Sequence, residues 1–199
     1  VSKSFDTMLM ATEKMRSIIN HVRIFARQEQ MHFHPHPINE IICTSLLLIQ
    51  EQFRRQHINI ELNLSIKNPL VMCAPNRLEQ VVINLMSNAR DAIESKRLQT
   101  PNLPGQIKIF TYQKGDKVIV KVRDNGVGIG AEGAKKLYDP FYSTKEVGKG
   151  TGLGLSISYG IIQEHQGSIE MNSTIGEFTE FTLTFDDMNE EQSSPQDSV

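Results

Sequence analysis

The stretch Asp124–Leu155, DNGVGIGAEGAKKLYDPFYSTKEVGKGTGLGL, decides the fold of this chain, because it holds eight of its 13 glycines. Glycine lets the backbone adopt positive φ angles and approach a ligand closely. Backbone amides that are free of secondary structure are also natural hydrogen-bond donors to phosphate oxygens. The glycine content of this stretch therefore predicts a ligand that carries phosphate.

Two common phosphate-binding motifs do not explain the stretch. A P-loop needs a glycine five residues before the Gly148-Lys149 pair, and none stands there. The spacing Gly128-x-Gly130-x-x-Gly133 matches a dinucleotide-binding pattern, but the βαβ unit that this pattern requires does not follow it. A different kind of phosphate site is needed.

Length, composition and charge predict one well-buried domain with an appendage. The 199 residues are 39% hydrophobic and 22% charged, which is ordinary for a globular protein. A net charge of -2 provides no positive field, so we expect no nucleic-acid partner. The chain begins with Val1, as expected of a fragment of a longer protein.

Cysteine usage and hydropathy bear on the cellular compartment. Cys43 and Cys73 lack the spacing of metal or redox motifs and stand among apolar residues, so we expect two small hydrophobic side chains in a reducing, cytoplasmic setting. No apolar run reaches the roughly 20 residues that a membrane span needs. Whether a longer parent protein is anchored in a membrane stays open at this point.

The N-terminal residues 1–28 carry a helical pattern. Between Phe5 and Ala26, apolar or small residues stand at positions 5, 8, 12, 15, 19, 22 and 26, with Thr12 the only polar member. This spacing predicts one long bundle helix. Its apolar stripe needs a partner, which we expect to be a helix from outside this chain or a second copy of it. Packing on the chain's own globular part is the alternative.

Residues 29–37 lack periodicity and predict a linker. Histidines alternate here with prolines, namely His32, His34, Pro35, His36 and Pro37. Alternating histidines can bind a metal, but in a proline-stiffened linker we expect them to be surface residues.

Residues 38–186 predict an alternation of helices and strands. Helices are predicted over 38–56, from 75 onward and over 153–165, and strands over 58–66, 70–73, 106–114, 117–123, 167–172 and 178–185. Asn76 is expected to cap the second helix, with Glu79 completing a capping box. Gly115-Asp116 is expected at the turn of a hairpin. The polar residues 187–199 predict a disordered tail.

The helix that opens at Pro75 has two distinct faces. Its core face is formed by apolar residues, namely Leu78, Val81, Val82, Leu85, Ala89, Ala92 and Ile93. Asn84, Asn88 and Asp91 fall together on another stripe. Asparagine is a mediocre helix former, so two of them one turn apart indicate either solvent exposure or a ligand.

Four patterns stand in order along the chain: NLMSNARDAI at 84–93, DNGVGIG at 124–130, DPFYSTK at 139–145 and GKGTGLGL at 148–155. Together they resemble the N, G1, F and G2 boxes of sensor histidine kinases. The resemblance implies an α+β fold, a two-layer α/β sandwich with a mixed sheet and helices on one face, which chaperone, gyrase and mismatch-repair ATPases share. It assigns 38–186 to the ATP-binding catalytic domain and 1–28 to the second helix of the dimerisation and phosphotransfer hairpin.

The resemblance also implies roles for individual residues, with ATP and Mg²⁺ as cofactors. Asp124 would accept a hydrogen bond from the adenine amino group, which guanine lacks. Its plainer role is that of an aspartate at a strand-end turn. Asn88 resembles the Mg²⁺ ligand of the family and Asn84 its companion. Gly126 and Gly128 would let the backbone pass close to the base.

A movable lid is implied for residues 138–151, with Phe141 resembling its apolar pin. Lys145 and Lys149 would reach the terminal phosphates from this lid, unless they are simply solvated. The backbone amides around the next helix start would bind phosphate. The nucleotide contacts implied here are Ile129, Thr144, Gly150, Thr151, Gly152, Leu153 and Gly154. Asp91 departs from the many relatives that have a basic residue there, so no phosphate contact is assigned to it.

Asn84 separates two classes of activity. ATP-hydrolysing relatives carry a glutamate at this position to activate water, and an amide cannot accept a proton. The resemblance therefore implies that Asn84 and Lys145 assist transfer of the γ-phosphoryl group of Mg-ATP to a histidine. A conformational ATPase of the same fold and a nucleotide-binding scaffold without transfer are the competing functions.

The resemblance further implies partners. In the family an acidic residue follows the acceptor histidine, and no histidine here, His21 included, is followed by one. We therefore expect the isolated chain not to phosphorylate itself and the acceptor to lie on the hairpin of the same kinase. A response regulator would receive the phosphoryl group, and the full-length protein would be a homodimer.

Overall fold

The computed structural model describes residues 32–143 and 151–188, so the predicted bundle helix and residues 189–199 lie outside the described residues. The strands are β1 (His34–Pro37), β2 (Ile58–Asn63), β3 (Leu70–Cys73), β4 (Gly105–Lys114), β5 (Lys117–Asp124), β6 (Ser168–Thr174) and β7 (Phe178–Asp186). The helices are α1 (Ile38–Arg55), α2 (Pro75–Arg97), α3 (Ala131–Lys135) and α4 (Gly154–Glu164). Apart from the short α3, the predicted order of elements from residue 38 onward is confirmed.

A mixed sheet of five strands, in the order β2-β4-β5-β7-β6, forms one layer of the domain. β2 and β4 are parallel, and the other neighbouring pairs are antiparallel. Buried and more exposed residues alternate along β4 and β7, which is the pattern of a sheet covered on one face. The helices α1, α2 and α4 cover that face. The predicted two-layer α/β sandwich is therefore confirmed.

The core lies between the sheet and the helices. Ile109, Val122 and Phe181 stand opposite one another on β4, β5 and β7 and are buried. The buried face of α2 joins the same core through Leu78, Val81, Val82, Leu85, Met86, Ala89 and Ile93. Each fully buried side chain of this kind stabilises the fold by roughly 1.5 to 3 kcal/mol. This packing fixes the rotation of α2, and with it the direction of the stripe that carries Asn84 and Asn88.

Residues 34–37 form a strand where the sequence predicted a linker. β1 pairs antiparallel with β3, with His34 opposite Cys73 and Pro37 opposite Leu70. The two prolines of β1 hide any strand pattern, yet they are tolerated because β1 belongs to a two-stranded sheet and leaves one edge unpaired. The linker prediction is wrong for these residues. The division of the chain into domains stays a prediction.

The start of α2 differs from the predicted capping box. Ala74 is the N-cap residue and no side chain caps the helix, while Asn76 is exposed. Pro75 presets the helical φ angle and has no N–H that needs an acceptor. The Ala74 N–H donates to Nε2 of the buried His165 at 3.1 Å. The predicted capping box is wrong, because His165 accepts the Ala74 N–H and Pro75 has no N–H that needs an acceptor.

The predicted disordered tail begins too early at residue 187. Asp187 is buried and accepts a hydrogen bond from Gln113 Nε2. Its own N–H donates to Asp116 O at 2.9 Å, and the Met188 N–H donates to Leu70 O at 3.0 Å. The prediction of disorder is therefore wrong for residues 187 and 188.

The two cysteines differ in environment. Cys43 is exposed, contrary to the expectation from its apolar neighbours, because it lies on the outer face of α1. Cys73 is buried, which raises the pKa of its thiol to about 11. Within 32–143 and 151–188, no helix is both long enough and apolar enough to cross a membrane.

Candidate functional site

Asn84 joins α2 to the first turns of α4. Its Nδ2 donates to the hydroxyl oxygen of Ser158 at 2.8 Å, and Ser158 is buried. A Cβ on Gly154 would lie 2.2 Å from Asn84 Oδ1. Gly154 must therefore be a glycine as long as Asn84 keeps this position. The structure brings the predicted pair Asn84 and Gly154 together and adds Ser158, which we missed although it stands one helical turn after Gly154.

The N-terminus of α4 presents backbone amides beside Asn84. No side chain caps this helix of 11 residues, and Leu153 is its N-cap residue. The Leu153 N–H has a long hydrogen bond of 3.4 Å to the hydroxyl oxygen of Thr151. The first amides of a helix lack intrahelical acceptors and attract anions. The predicted residues Thr151, Leu153 and Gly154 thus lie where an anion can bind.

Phe141 and Gly152 meet at the base of the predicted lid. Both have φ angles of +67°, in the left-handed region. A Cβ on Gly152 would lie 2.4 Å from the carbonyl carbon of Phe141. The Phe141 side chain is 72% exposed, so in this conformation it does not pin the lid to the domain. Only glycine fits the close approach at residue 152.

Asp124 lies at the end of β5, where its side chain is 5% exposed. Its Oδ1 accepts a hydrogen bond from the Gly126 N–H at 2.7 Å, so part of its role is the turn that sequence reasoning offered as the plain alternative. Burial raises the pKa of the carboxyl to about 6, although the Gly126 N–H and the nearby Lys96 charge lower it. At neutral pH the side chain is mainly an ionised hydrogen-bond acceptor.

The glycines after Asp124 are needed for contacts within the protein. A Cβ on Gly126 would lie 2.6 Å from the backbone of Ala92 on α2. Gly128 has a φ angle of +72°, and a Cβ there would lie 2.2 Å from Thr174 O. We predicted that both glycines make room for a base. In the structure they let this segment pass between α2 and the turn that joins β6 to β7.

The backbone amides of the same segment are used by protein acceptors. The Gly126 N–H donates to Asp124, the Val127 N–H to Ala92 O at 3.2 Å, and the Ile129 N–H to the Ser173 hydroxyl oxygen at 2.8 Å. Ile129 can therefore contact a ligand only through its side chain or carbonyl. The amides in the first half of the glycine-rich stretch are thus hydrogen-bonded within the protein. The amides suited to binding phosphate occur in its second half, at the start of α4.

An ion pair that sequence reasoning missed joins Asp91, on the asparagine stripe of α2, to its neighbour Arg90. Arg90 Nε and Nη2 both donate to Asp91 Oδ1, at 2.8 and 2.6 Å. Arg90 Nη2 also donates to the Ser87 hydroxyl oxygen at 3.1 Å. Both side chains of the pair are mostly buried, at 19% and 26% exposure. The adjacency of Arg and Asp in the sequence was the available signal, although neighbours on a helix usually point apart.

Part of the predicted site lies outside the described residues, namely Thr144, Lys145, Lys149 and Gly150.

Asn88 is half-buried on α2, between the levels of Asn84 and Asp91. Mg²⁺ is usually held by waters, phosphate oxygens and one or two protein oxygens. Among the described residues, no group of three or more His, Cys, Asp and Glu side chains could hold a metal ion. An amide oxygen is a suitable ligand for a cation that is already bound to a polyphosphate.

Comparison with known proteins agrees with this geometry. A family model described as histidine kinase-, DNA gyrase B-, and HSP90-like ATPase matches residues 73–189. Sporulation kinase E of Bacillus subtilis (strain 168) is 32% identical over 183 residues, which is 90% of this chain and 23% of that kinase. The chain therefore spans less than a quarter of the length of this curated relative.

Two solved structures are similar in fold and sequence. The catalytic domain of histidine kinase ThkA is 30% identical with a TM-score of 0.67, over 78% of this chain and 96% of that one. Histidine kinase ThkA in complex with response regulator protein TrrA is 26% identical with a TM-score of 0.70, over 91% of this chain and 49% of that one.

Proposed function

This chain belongs to the family of histidine kinase-, DNA gyrase B- and HSP90-like ATPases and carries the catalytic domain of a sensor histidine kinase, and on that premise we propose that it transfers the γ-phosphoryl group of Mg-ATP to a histidine. One observation carries the proposal. α2 contacts the start of α4 through Asn84 and, about two helical turns farther along, the segment after Asp124 through Ala92. The site thus has an anion-binding end and a base-binding end.

Adenine binds at the end marked by Asp124. The ionised carboxylate accepts a hydrogen bond from the exocyclic amino group of adenine, and the guanine oxygen at that place offers no donor. The segment 126–129 is fixed against α2 and β6 by its own hydrogen bonds, so the carboxylate is held in position before the nucleotide binds. Selection of adenine is therefore expected to reside in Asp124.

The phosphates bind at the start of α4. Its free amides contact phosphate oxygens, while Asn88 holds the Mg²⁺ that would neutralise and orient them. Lys145 and Lys149 reach the terminal phosphates in this proposal, and Phe141 belongs to the lid that covers them. Gly150, Gly152 and Thr144 complete the phosphate-binding segment.

Transfer is favoured over hydrolysis by the chemistry of Asn84. Its amide cannot accept a proton from water, and its Nδ2 is already bound to Ser158. In the transfer step, an imidazole nitrogen bonds to the γ-phosphorus as the bond to the β-γ bridging oxygen breaks, and ADP leaves. Positioning and charge neutralisation supply most of the catalysis in such reactions. A conformational ATPase would need a base where Asn84 stands.

The partners are proposed from the family. The acceptor histidine lies on a dimerisation hairpin of the same kinase, of which residues 1–28 form the second helix, and the full-length protein is a homodimer. A response regulator receives the phosphoryl group, as ThkA is seen in complex with its regulator TrrA. The domain works in the cytoplasm, where ATP is available.

A transfer assay tests the proposal. The chain is mixed with Mg²⁺, γ-labelled ATP and a separately made hairpin that contains an acceptor histidine. We expect acid-labile phosphate on the hairpin, and Asn88→Ala should abolish it. Asn59→Ala, which removes an exposed amide on β2, is the matched control and should leave transfer intact. ATP turnover without labelled hairpin would favour the ATPase, and ATP binding without either reaction would favour a scaffold.

A further inference from the structure

We propose that Lys96 is a positioning residue of the nucleotide site, which holds the surroundings of Asp124 in place and keeps its carboxylate a hydrogen-bond acceptor for adenine. The inference rests on the proposed function, because it concerns the same base-binding end of the site. It starts from the hydrogen bonds that the Lys96 ammonium group makes.

The ammonium group of Lys96 bridges two segments that flank Asp124. Lys96 stands in the last turn of α2, and its Nζ donates to Asn125 O at 2.8 Å. The same Nζ has a long hydrogen bond of 3.4 Å to Glu177 O, in the turn between β6 and β7. Asn125 follows Asp124 directly, and the turn leads into the strand on which Thr179 stands opposite Asp124. One side chain of α2 therefore ties together the segments on both sides of the carboxylate.

A second contact of α2, one turn earlier, holds the same segment. The Ala92 carbonyl accepts the Val127 N–H at 3.2 Å. Lys96 follows Ala92 by four residues, so the two lie on the same side of the helix. Asn125, which accepts the Lys96 hydrogen bond, is also bound through its side chain to the backbone at the start of β4. The segment after Asp124 is thus fixed to α2 at two points, and Lys96 supplies one of them.

The positive charge of Lys96 is not neutralised by a carboxylate. Both acceptors of its Nζ are backbone carbonyls. In the part of the chain that the structure describes, no carboxylate forms an ion pair with Lys96. A second cation near Asp124, Arg123, lies 3.8 Å from the centre of the Phe178 ring and 3.8 Å from Glu180 Oε2. The charge of Arg123 is therefore partly offset, whereas the charge of Lys96 acts on Asp124.

This charge matters because Asp124 is buried. Burial raises the pKa of its carboxyl to about 6, and the Gly126 N–H, the Lys96 charge, the Thr179 N–H and the Arg123 charge each act to lower it. A protonated carboxyl group carries a donor O–H and has less acceptor capacity for the adenine amino group. Without the charge of Lys96, a larger share of the protein would hold Asp124 in the protonated form near pH 6.

A pair of variants in the 199-residue chain tests the inference. Lys96→Met removes the charge and the hydrogen bonds, and Lys96→Arg keeps the charge. The Asp124 carboxyl carbon can be titrated by NMR in the nucleotide-free chain. Its pKa should rise by roughly half a pH unit in Lys96→Met, since a cation beyond direct contact acts more weakly than the one to three units of a contacting pair. Lys96→Arg should keep this pKa close to that of the wild type.

Calorimetric titration with Mg-ATP between pH 5 and pH 8 measures the consequence for binding. A rise of half a unit corresponds to about threefold weaker binding at pH 5, where Asp124 is mostly protonated, and to almost none at pH 8. The lost hydrogen bonds add a loss that is the same at both pH values. Protonation of the nucleotide itself cancels in the ratio of each variant to the wild type.

Lys114→Met is the matched control, because it removes an exposed lysine at the far end of β4. Lys114 stands seven residues from Ile107, the residue opposite Asp124, which is about 23 Å along the strand. This variant should leave the pKa of Asp124 and the ATP affinity unchanged. If Lys96→Met fails to fold, Lys96→Gln serves in its place. Its amide can still donate to a carbonyl but carries no charge, so the same pH-dependent loss is expected.

The outcomes separate the inference from the proposed function. An unchanged pKa of Asp124 in Lys96→Met, or a loss of ATP affinity that is equal at pH 5 and pH 8, would overturn the role of Lys96 and leave the kinase proposal standing. The same pH-dependent loss in Lys96→Arg would show that the charge is not the cause, and would also overturn it. Absence of ATP binding to the wild type at every pH would refute the proposed function, and the inference with it.

Discussion

Replacing Asp124 by Asn is predicted to strengthen the fold of the nucleotide-free protein while weakening ATP binding. Burial is the main reason that the pKa of this carboxyl rises from 3.8 to about 6. The shift is about two pKa units, which corresponds to about 3 kcal/mol at 1.36 kcal/mol per unit. This is roughly the free energy that the folded chain loses by keeping an ionised carboxylate in a side chain that is 5% exposed.

The direction of the pH dependence follows from the raised pKa. Between pH 3.8 and about 6, folded Asp124 still holds a proton that the unfolded chain has released. This group therefore makes the free energy of unfolding fall as the pH rises through that window. The Asp124→Asn variant lacks the titration. The free energy of unfolding of the variant should exceed that of the wild type only slightly at pH 4 and by up to about 3 kcal/mol at pH 7.

Urea denaturation at the two pH values measures this difference. The chain contains no tryptophan, so far-ultraviolet circular dichroism is the suitable signal. Asp116→Asn, at the exposed turn between β4 and β5, controls for the loss of one negative charge. In parallel, calorimetry should show ATP affinity falling roughly ten- to a hundredfold in Asp124→Asn, the value of a hydrogen bond to a charged group.

Two results would refute this reasoning about Asp124. If the variant has the same stability advantage at pH 4 and pH 7, or none, then burial does not penalise the ionised carboxylate. If the wild type binds ATP and GTP equally well, and Asp124→Asn leaves ATP affinity unchanged, then Asp124 does not recognise adenine.

Other predictions concern separate parts of the chain. Asn88→Ala should remove most of the Mg²⁺ dependence of ATP binding in calorimetry, and an equal loss for adenosine would make Asn88 structural. Gly154→Ala should lower the free energy of unfolding by about 1 kcal/mol through collision with Asn84, and this cost should vanish in an Asn84→Ala background. The isolated chain should gain no acid-labile phosphate from Mg-ATP, and stoichiometric phosphohistidine at His21 would contradict this. The apolar stripe over 5–26 should give weak dimers, whereas a monomeric sedimentation profile at high concentration would argue against it.

Sequence reasoning succeeded where the signal is local. The helical spacing of the apolar residues on α2 determines which face is buried, so the direction of Asn84 and Asn88 followed from it. The hairpin of β4 and β5 was likewise predictable from two alternating segments around Gly115, which has a φ angle of +60°. In both cases residues that are close together in the sequence determine the conformation.

Prediction from the sequence failed where a residue far away in the sequence determines the local conformation. The amide of Ala74 is satisfied by His165, 91 residues away, and no local pattern at Asn76 reveals this. The strand at 34–37 exists because β3 supplies its hydrogen bonds. The role of the glycines near Asp124 was also incompletely predicted, because the backbone of Ala92 that excludes a Cβ comes from another element.

The contact between Phe141 and Gly152 has a consequence for protein engineering. Because these two residues touch, a peptide inserted between them would have both of its ends fixed by the fold, as in the closure of a loop. Doubling the length of such a loop costs only about 0.6 kcal/mol of closure entropy. Insertions of a peptide tag or a fluorescent reporter between 142 and 151 are therefore tolerable thermodynamically. Nucleotide-dependent changes at this position become measurable without disturbing the packing of α2 and α4.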